Sequence, residues 1–409
     1  MTPAPTVVTG ILLLAASLAA APLIAQTETP GDFTRGYARL AALKGPDGRR
    51  LHRLMELRWR QVMTDSPEFA TYVGFPGQNH RWTDLSLTAI ARRKRELAEP
   101  RRALKAIDRA RLNPAERLNY DLLRRSLDLQ AESAGFPEEY LPVGPLSGAQ
   151  QDLAQILGVS PARRVSDYED MLARLGGVAG VVDQQIALMR KGLEAGITPP
   201  AVTLRDVPGQ IQAQIVTDPL TSPLLRPFTT FPAEVPVAER ERLRRAAAET
   251  YSSQIRPAFE RMHAFVADSY LPGARTSIGM GALPDGQAWY AFRARSFTTT
   301  DLTPSQIHEL GLAEVKRIRG QMDSVIAGVG FRGNFADFVR FLRTDPQFFH
   351  PDSATLIQST RELMKRIDPE LIRVFGKLPR TPYGVVPIPA YAAKSQTTAY
   401  YEPGSYRAG

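Results

Sequence analysis

The chain of 409 residues contains no cysteine. That excludes disulfides, thiol nucleophiles, cysteine-ligated zinc and lipid attachment through a lipobox cysteine. Histidine is almost as scarce, with His52, His80, His263, His308 and His350 making the full set, and no two of them lie closer than 28 residues. A zinc helix needs two imidazoles one turn apart with a Glu to activate the metal-bound water. His308-Glu309 opens such a pattern, but Leu312 stands where the second His belongs. Lysine is sparse too, 8 residues against 43 arginines, and the net charge is +9. The arginines are mixed with Glu and Asp along helical stretches, and short runs such as ARRKRE (91–96) and RERLRR (240–245) read as solvated helix faces. Without a basic stripe, nucleic acid is not an expected partner.

Long apolar runs are absent beyond the first thirty residues, so no integral membrane domain is expected. Within those thirty, Val7 to Ala25 is uncharged and ends in small residues before a polar exit. Its most apolar part, Ile11 to Ala25, suits a signal-peptide core better than a membrane span. The amino-terminal side lacks Lys and Arg, and an uncleaved anchor is the rival reading. Cleavage after Ala25 is preferred, because a cut after Ala21 would leave Pro22 first. The expected organisation is a signal peptide at 1–25, a flexible mature N-terminus at 26–46 and one helical domain over 47–409 in an exported, periplasmic or secreted protein.

With 43% hydrophobic residues the chain can bury a full core. From Gly48 onward helical periodicity dominates: Leu51, Leu54, Met55 and Val62 share a stripe, and Leu85, Ile90, Leu97, Leu104 and Ile107 form another. Asn113 before Pro114 reads as an N-cap with proline at the first helical position. Ser166 with Glu169 three residues on reads as a capping box. The stretch 198–236 is expected to cross the surface, and the helix after it to kink or divide at Pro257. Two places suggest strands: 287–299, where Trp289, Ala291, Arg293 and Arg295 alternate, and the extended, proline-marked run 383–391. The expected fold is mainly α, a large helical body with a small β element near 287–299 and an extended segment near 383–409.

The stretch TTTDLTPSQIHELGLAEVKRI begins a helix with Thr303 as cap, Pro304 at the first position and Gln306 closing a capping box. Ile307, Leu310, Val315, Ile318 and Met322 give it an apolar face, which leaves His308 and Glu309 at the surface. Gly279, Gly281 and Gly286 make no phosphate loop, since no Lys-Ser/Thr follows them.

The run YAFRARSFTTTDLTPSQIHELGLAEVKRI (290–318) resembles the central signature of the bacterial family known as domain of unknown function 885. SPEFATYVG (66–74), DYEDMLARL (167–175), LRTDPQFF (342–349), KLPRTPYGVVPIP and AYYEPGS resemble other family segments in the same order. Members are similar to zinc metallopeptidases, so the resemblance implies metal-assisted hydrolysis of a peptide or small amide. The family's metal helix follows the Tyr-Tyr-x-Pro-Gly segment, and nothing in this sequence matches it. The expectation is therefore the N-terminal, substrate-cleft portion of such a hydrolase, without a cofactor of its own, zinc being expected in a full-length homologue. Tyr290, Arg295, Tyr400 and Tyr401 are the candidate substrate-binding residues: a phenol to hydrogen-bond a tetrahedral intermediate, a guanidinium to hold a carboxylate. The competing expectation is a non-catalytic periplasmic helical module that binds peptides or a protein partner.

Overall fold

The computed structural model describes residues 29–380, 382–389, 393 and 399–401. The expected signal peptide at 1–25 lies outside them, as does most of the chain after 389. The described residues are helical almost throughout, and their only β-type pairings are two isolated bridges, Gly144 with Ser147 and Pro200 with Arg275. The chain divides into two compact units, with the boundary after Gly286.

The first unit opens with α1 (Pro30–Ala42), α2 (Asp47–Asp65) and α3 (Pro67–Tyr72). The helical α1 corrects the flexible stretch expected at 26–46. Phe33 and Tyr37 lie one turn apart on its inner face and are almost fully buried, and the Tyr37 hydroxyl donates to Gln61 Oε1 at 2.7 Å. Two buried aromatics outweigh the entropy gained by a free segment. Next come α4 (Leu87–Glu96), α5 (Ala98–Lys105) and α6 (Pro114–Ser133). Asn113 caps α6 as its position before Pro114 suggests: it accepts from Glu116 N at 2.9 Å, and Glu116 accepts in return from Asn113 N at 3.0 Å. Helices α1, α2, α5 and α6 enclose one core around Leu51, Leu54, Leu104 and Leu127.

A second, larger core lies among α7 (Ala149–Val159), α8 (Val165–Gly176), α9 (Val178–Glu194), α10 (Ala201–Leu204), α11 (Val207–Gln212), α12 (Val237–Thr250) and α13 (Arg256–Phe265). The stretch 198–236 does not merely cross the surface. It sends Leu204, Val207, Ile211, Leu224, Leu225 and Phe228 into this core. Helix α8 starts one residue before the expected cap, because Asp167 collects the N–H groups of Arg163 and Arg164 at 2.9 and 3.1 Å. A π turn, Tyr251–Ile255, joins α12 to α13 immediately before Pro257. Proline has no N–H to donate and crowds the preceding turn, so a widened turn at this place relieves both.

One side chain ties the loop after α3 to this core. Arg174 of α8 is completely buried. Its Nε donates to Arg81 O at 3.0 Å, and its Nη2 reaches Thr71 Oγ1 and Gln78 O, each at 2.9 Å, with Pro67 O at 3.4 Å. Nη1 donates to Ser160 Oγ at 3.3 Å, the guanidinium lies 5.1 Å from the centre of the Trp82 ring, and Trp82 Nε1 donates back to Arg174 O at 2.6 Å. Burial pushes the guanidinium down to about 10, leaving it cationic at neutral pH. Its hydrogen-bond partners are carbonyl and hydroxyl oxygens, so it organises a loop rather than forming an ion pair.

The second unit comprises α14 (Gly286–Thr298, from Gln287 on), α15 (Pro304–Gly328), α16 (Phe335–Thr344), α17 (Ser353–Ile367) and the short α18 (Leu371–Val374). The β element expected near 287–299 is helix α14. Trp289 and Phe292, three residues apart, are its buried positions, whereas a strand would have buried every second residue. No extended segment pairs with it among the described residues, and the alanines and arginines between its aromatics favour helix. The capping box at Thr303 forms as expected, with Gln306 N donating to Thr303 Oγ1 at 3.2 Å and Thr303 N to Gln306 Oε1 at 2.9 Å.

Replacing Arg174 by Leu would remove all five of its side-chain hydrogen bonds and take the donor from Arg81 O, while Gln78 O keeps Arg81 N and Pro67 O keeps Thr71 Oγ1. We expect a loss of about 3 kcal/mol or more, with Arg174→Lys recovering less than half, since an ammonium has three donors for partners on three sides. Urea unfolding followed through tryptophan fluorescence checks this; a loss below about 1 kcal/mol, the range of an ordinary substitution, would contradict the assignment.

Candidate functional site

The four residues singled out from the sequence do not gather into one described site. Tyr290 is 50% exposed on α14, and Arg295 is half-buried five residues on. Five residues of α-helix turn about 140°, so the two side chains leave α14 on different sides. Tyr400 and Tyr401 are 48% and 81% exposed. His308 and Glu309 are exposed near the start of α15, as expected for a surface turn.

The clearest concavities of the second unit run along α17 instead. A broad, open groove of about 970 Å³ is lined by Ser353, Ile357, Gln358, Arg361, Lys365 and Pro387, among others. A smaller one of about 310 Å³ lies beside His350, Thr360 and Arg366. None of the four expected residues lines either. The groove exists because the extended segment 382–389, part of the run expected as an extended strand, lies against α17 without a β partner. Arg361 donates through Nε and Nη2 to Val385 O at 3.1 and 2.9 Å. The Tyr383 hydroxyl donates to Met364 O at 3.0 Å and to an Asp368 oxygen.

The Asp368 carboxyl is held below the usual carboxylate range by the Tyr383 hydroxyl and the Lys365 ammonium, and the same hydrogen bond raises the Tyr383 phenol. The groove is therefore apolar along its floor at Ile357, cationic at Arg361 and Lys365, and walled by a proline-marked extended chain. Glu362 also lines it, Lys365 is paired with Asp368 at 2.9 Å, and the open, shallow surface would suit an extended ligand better than a compact one. Sequence reasoning missed Arg361, Lys365 and Asp368. The one legible signal was Arg361, Lys365 and Arg366, four and five residues apart on α17 ahead of the extended run.

Among the described residues, no group of three or more His, Asp or Glu side chains is placed to hold a metal ion. In the first unit, Glu68 and Asp152 come near enough to interact. Glu68 accepts from Thr83 N at 2.8 Å, and Asp152 accepts from Gly148 N at 2.8 Å. Crowding by protein pushes the Asp152 carboxyl up to about 6, with Glu68 adding to the rise. Asp152 keeps an open side toward water, which screens the cost of its charge. Nearby, Gln155 Nε2 donates to the Tyr72 hydroxyl at 2.9 Å.

The family described as "Bacterial protein of unknown function (DUF885)" matches residues 67–409, and the chain belongs to it. A solved structure described as the "putative lipoprotein" from Colwellia psychrerythraea has the same fold, with a TM-score of 0.76 at 18% identity over 87% of this chain. The match spans 65% of that protein's chain. No curated protein matches.

Asp152 gives a pH test of the first unit. Its folded value lies above its unfolded one of 3.8, so it contributes stability that is full below 3.8 and lost as pH rises through about 6. Asp152→Asn should melt with the wild type near pH 4 and above it at pH 7. Equal melting temperatures at both pH values would contradict the crowding of this carboxyl.

Proposed function

We propose that residues 47–409 form the helical, substrate-facing portion of an exported metallopeptidase-like hydrolase acting on peptides or small amides. The catalytic zinc would be held by polypeptide outside these residues. The hydrolase part of this reading rests on the resemblance of the segments at 66–74, 167–175 and 290–318, while the match over 67–409 supports the family and the neighbour supports the fold. The described residues offer no ligand set for zinc. When bound, zinc would activate water and polarise the scissile carbonyl.

The chain's own part would be to bind and orient substrate. The α17 groove would take an extended peptide, with Arg361 or Lys365 toward a carboxylate. Tyr290, Arg295, Tyr400 and Tyr401 would line the approach to the reacting bond, a phenol donating to the developing oxyanion and Arg295 holding a carboxylate. Export is supported by the neighbour's description as a lipoprotein and by the apolar run at Val7 to Ala25. Lacking cysteine, these residues cannot carry a thioether-linked lipid. No described helix is long and apolar enough to cross a membrane.

A second reading, a non-catalytic periplasmic module that binds peptides or a partner protein, is favoured by one observation: the apolar residues exposed along α15, α16 and α17.

The test is zinc content with peptide hydrolysis, measured on the 409-residue chain and on a chain extended through the following reading frame. Zinc and hydrolysis are expected only in the extended chain, where Tyr290→Phe or Arg295→Ala should lower kcat/KM by about tenfold or more. Stoichiometric zinc and activity in the 409-residue chain would overturn the reading. Neither property in the extended chain would leave the binding module as the better account.

A further inference from the structure

The extended segment 382–389 is held on α17 from one side. Arg361 donates twice to Val385 O, at 3.1 and 2.9 Å, and the Tyr383 hydroxyl reaches Met364 O at 3.0 Å. In an extended chain the N–H and C=O of one residue point to the same side, and those of its neighbours to the other. With Val385 O turned to α17, the main-chain groups of Gly384 and Val386 face away from it. Exposure agrees: Val385 is half-buried, Gly384 is exposed and Val386 is 76% exposed. Among the described residues, neither Gly384 nor Val386 takes part in a hydrogen bond. Their two donors and two acceptors stand at a two-residue repeat of ~7 Å. Pro382 and Pro387 have no N–H, so they end this edge on both sides.

We propose that residues 383–386 bind an extended peptide by β-addition, on the edge that faces away from α17. The pattern selects the occupant. Donors and acceptors paired at this spacing are matched by the main chain of another extended polypeptide, and no sugar, nucleotide or lipid repeats them so. Because the pairing uses main chain alone, the ligand class is unfolded peptide of loosely constrained sequence that carries unmodified amides on two residues two apart. A second copy of this chain offers the same edge, but four residues fall far short of the ~800 Å² per partner that a stable dimer buries. The inference deepens the proposed function and rests on its peptide part; the hydrolase part and the metal play no role in it.

The probe is acetylated pentathreonine with a C-terminal fluorophore, titrated with the 409-residue chain and followed by anisotropy. Methyl groups on the amides of its second and fourth residues spare the edge made by the first, third and fifth. The same two groups on the second and third residues block every pair of residues two apart. The first peptide should bind like the unmodified one, and the second should bind tenfold or more weakly. Val386→Pro, which removes an outward donor, should weaken the unmodified peptide to the same degree. Val385→Pro, which removes a donor on the α17 side, should not. The proposal is overturned if the unmodified peptide does not bind, if the two methylation patterns weaken it equally, or if Val386→Pro binds at wild-type strength. It is overturned as well by a dimer of the 409-residue chain, seen by light scattering, that Val386→Pro dissolves. Binding with the expected pattern but no hydrolysis in the extended chain would count against the proposed enzyme activity alone.

Discussion

A buried guanidinium with no anion bonded to it is the constraint on which the first unit depends. Arg174 leaves α8 from the stripe that also carries Tyr168, Met171 and Leu175, and it spends its donors on three carbonyls and two hydroxyls. Those acceptors belong to α3, to the loop between α3 and α4, and to the end of α7. Removing the guanidinium would strip five hydrogen bonds at once and take the donor from Arg81 O, although Pro67 O and Gln78 O keep other donors. The same residues are Thr71 of SPEFATYVG and Arg174 of DYEDMLARL, two of the segments that resemble the family. In this chain, both therefore serve the scaffold.

The second unit shows the opposite economy. Its helices are well capped at Thr303, Asn334 and Asp352, so they are locally specified. Their apolar faces are nevertheless largely open, with Trp289, Phe292 and Ile326 the buried hydrophobics described beyond Gly286. Amphipathic helices take most of their stability from a buried face. Phe331, Phe338, Phe341 and Phe348 cluster at 5.1 to 6.3 Å between ring centres and supply a small local substitute. The α17 groove belongs to this loosely held half, and the Arg174 frame to the other.

What was legible in the sequence follows the range of the interactions involved. Capping at Asn113 and Thr303 involves neighbours three residues apart, and both were readable. The helical class was readable from periodicity. Helix α14 was not, because aromatic and threonine residues in QAWYAFRARSFTT suit a strand as well as a helix, and only the absence of a pairing partner decides. Helix α1 was missed because Phe33 and Tyr37 are two isolated aromatics whose burial depends on α2 and α5. The candidate site was the least legible part. Tyr290 and Arg295 came from a resemblance and diverge around their helix, while the α17 groove depends on Arg361 reaching Val385, 24 residues away. Arg174 had a signal that went unread, a charge at a core position of an apolar stripe.

The central claim is that, among the described residues, the first unit is held by two buried cores while the second leaves its apolar faces largely open. Native-state hydrogen exchange of the 409-residue chain, resolved by peptide, tests it most directly. The account predicts that amides of α8, α9 and α13 exchange only through global unfolding, while those of α15 and α17 exchange through local opening that is orders of magnitude faster. Equal protection across α8, α13, α15 and α17 would mean that both halves already share one cooperative fold, and would contradict it.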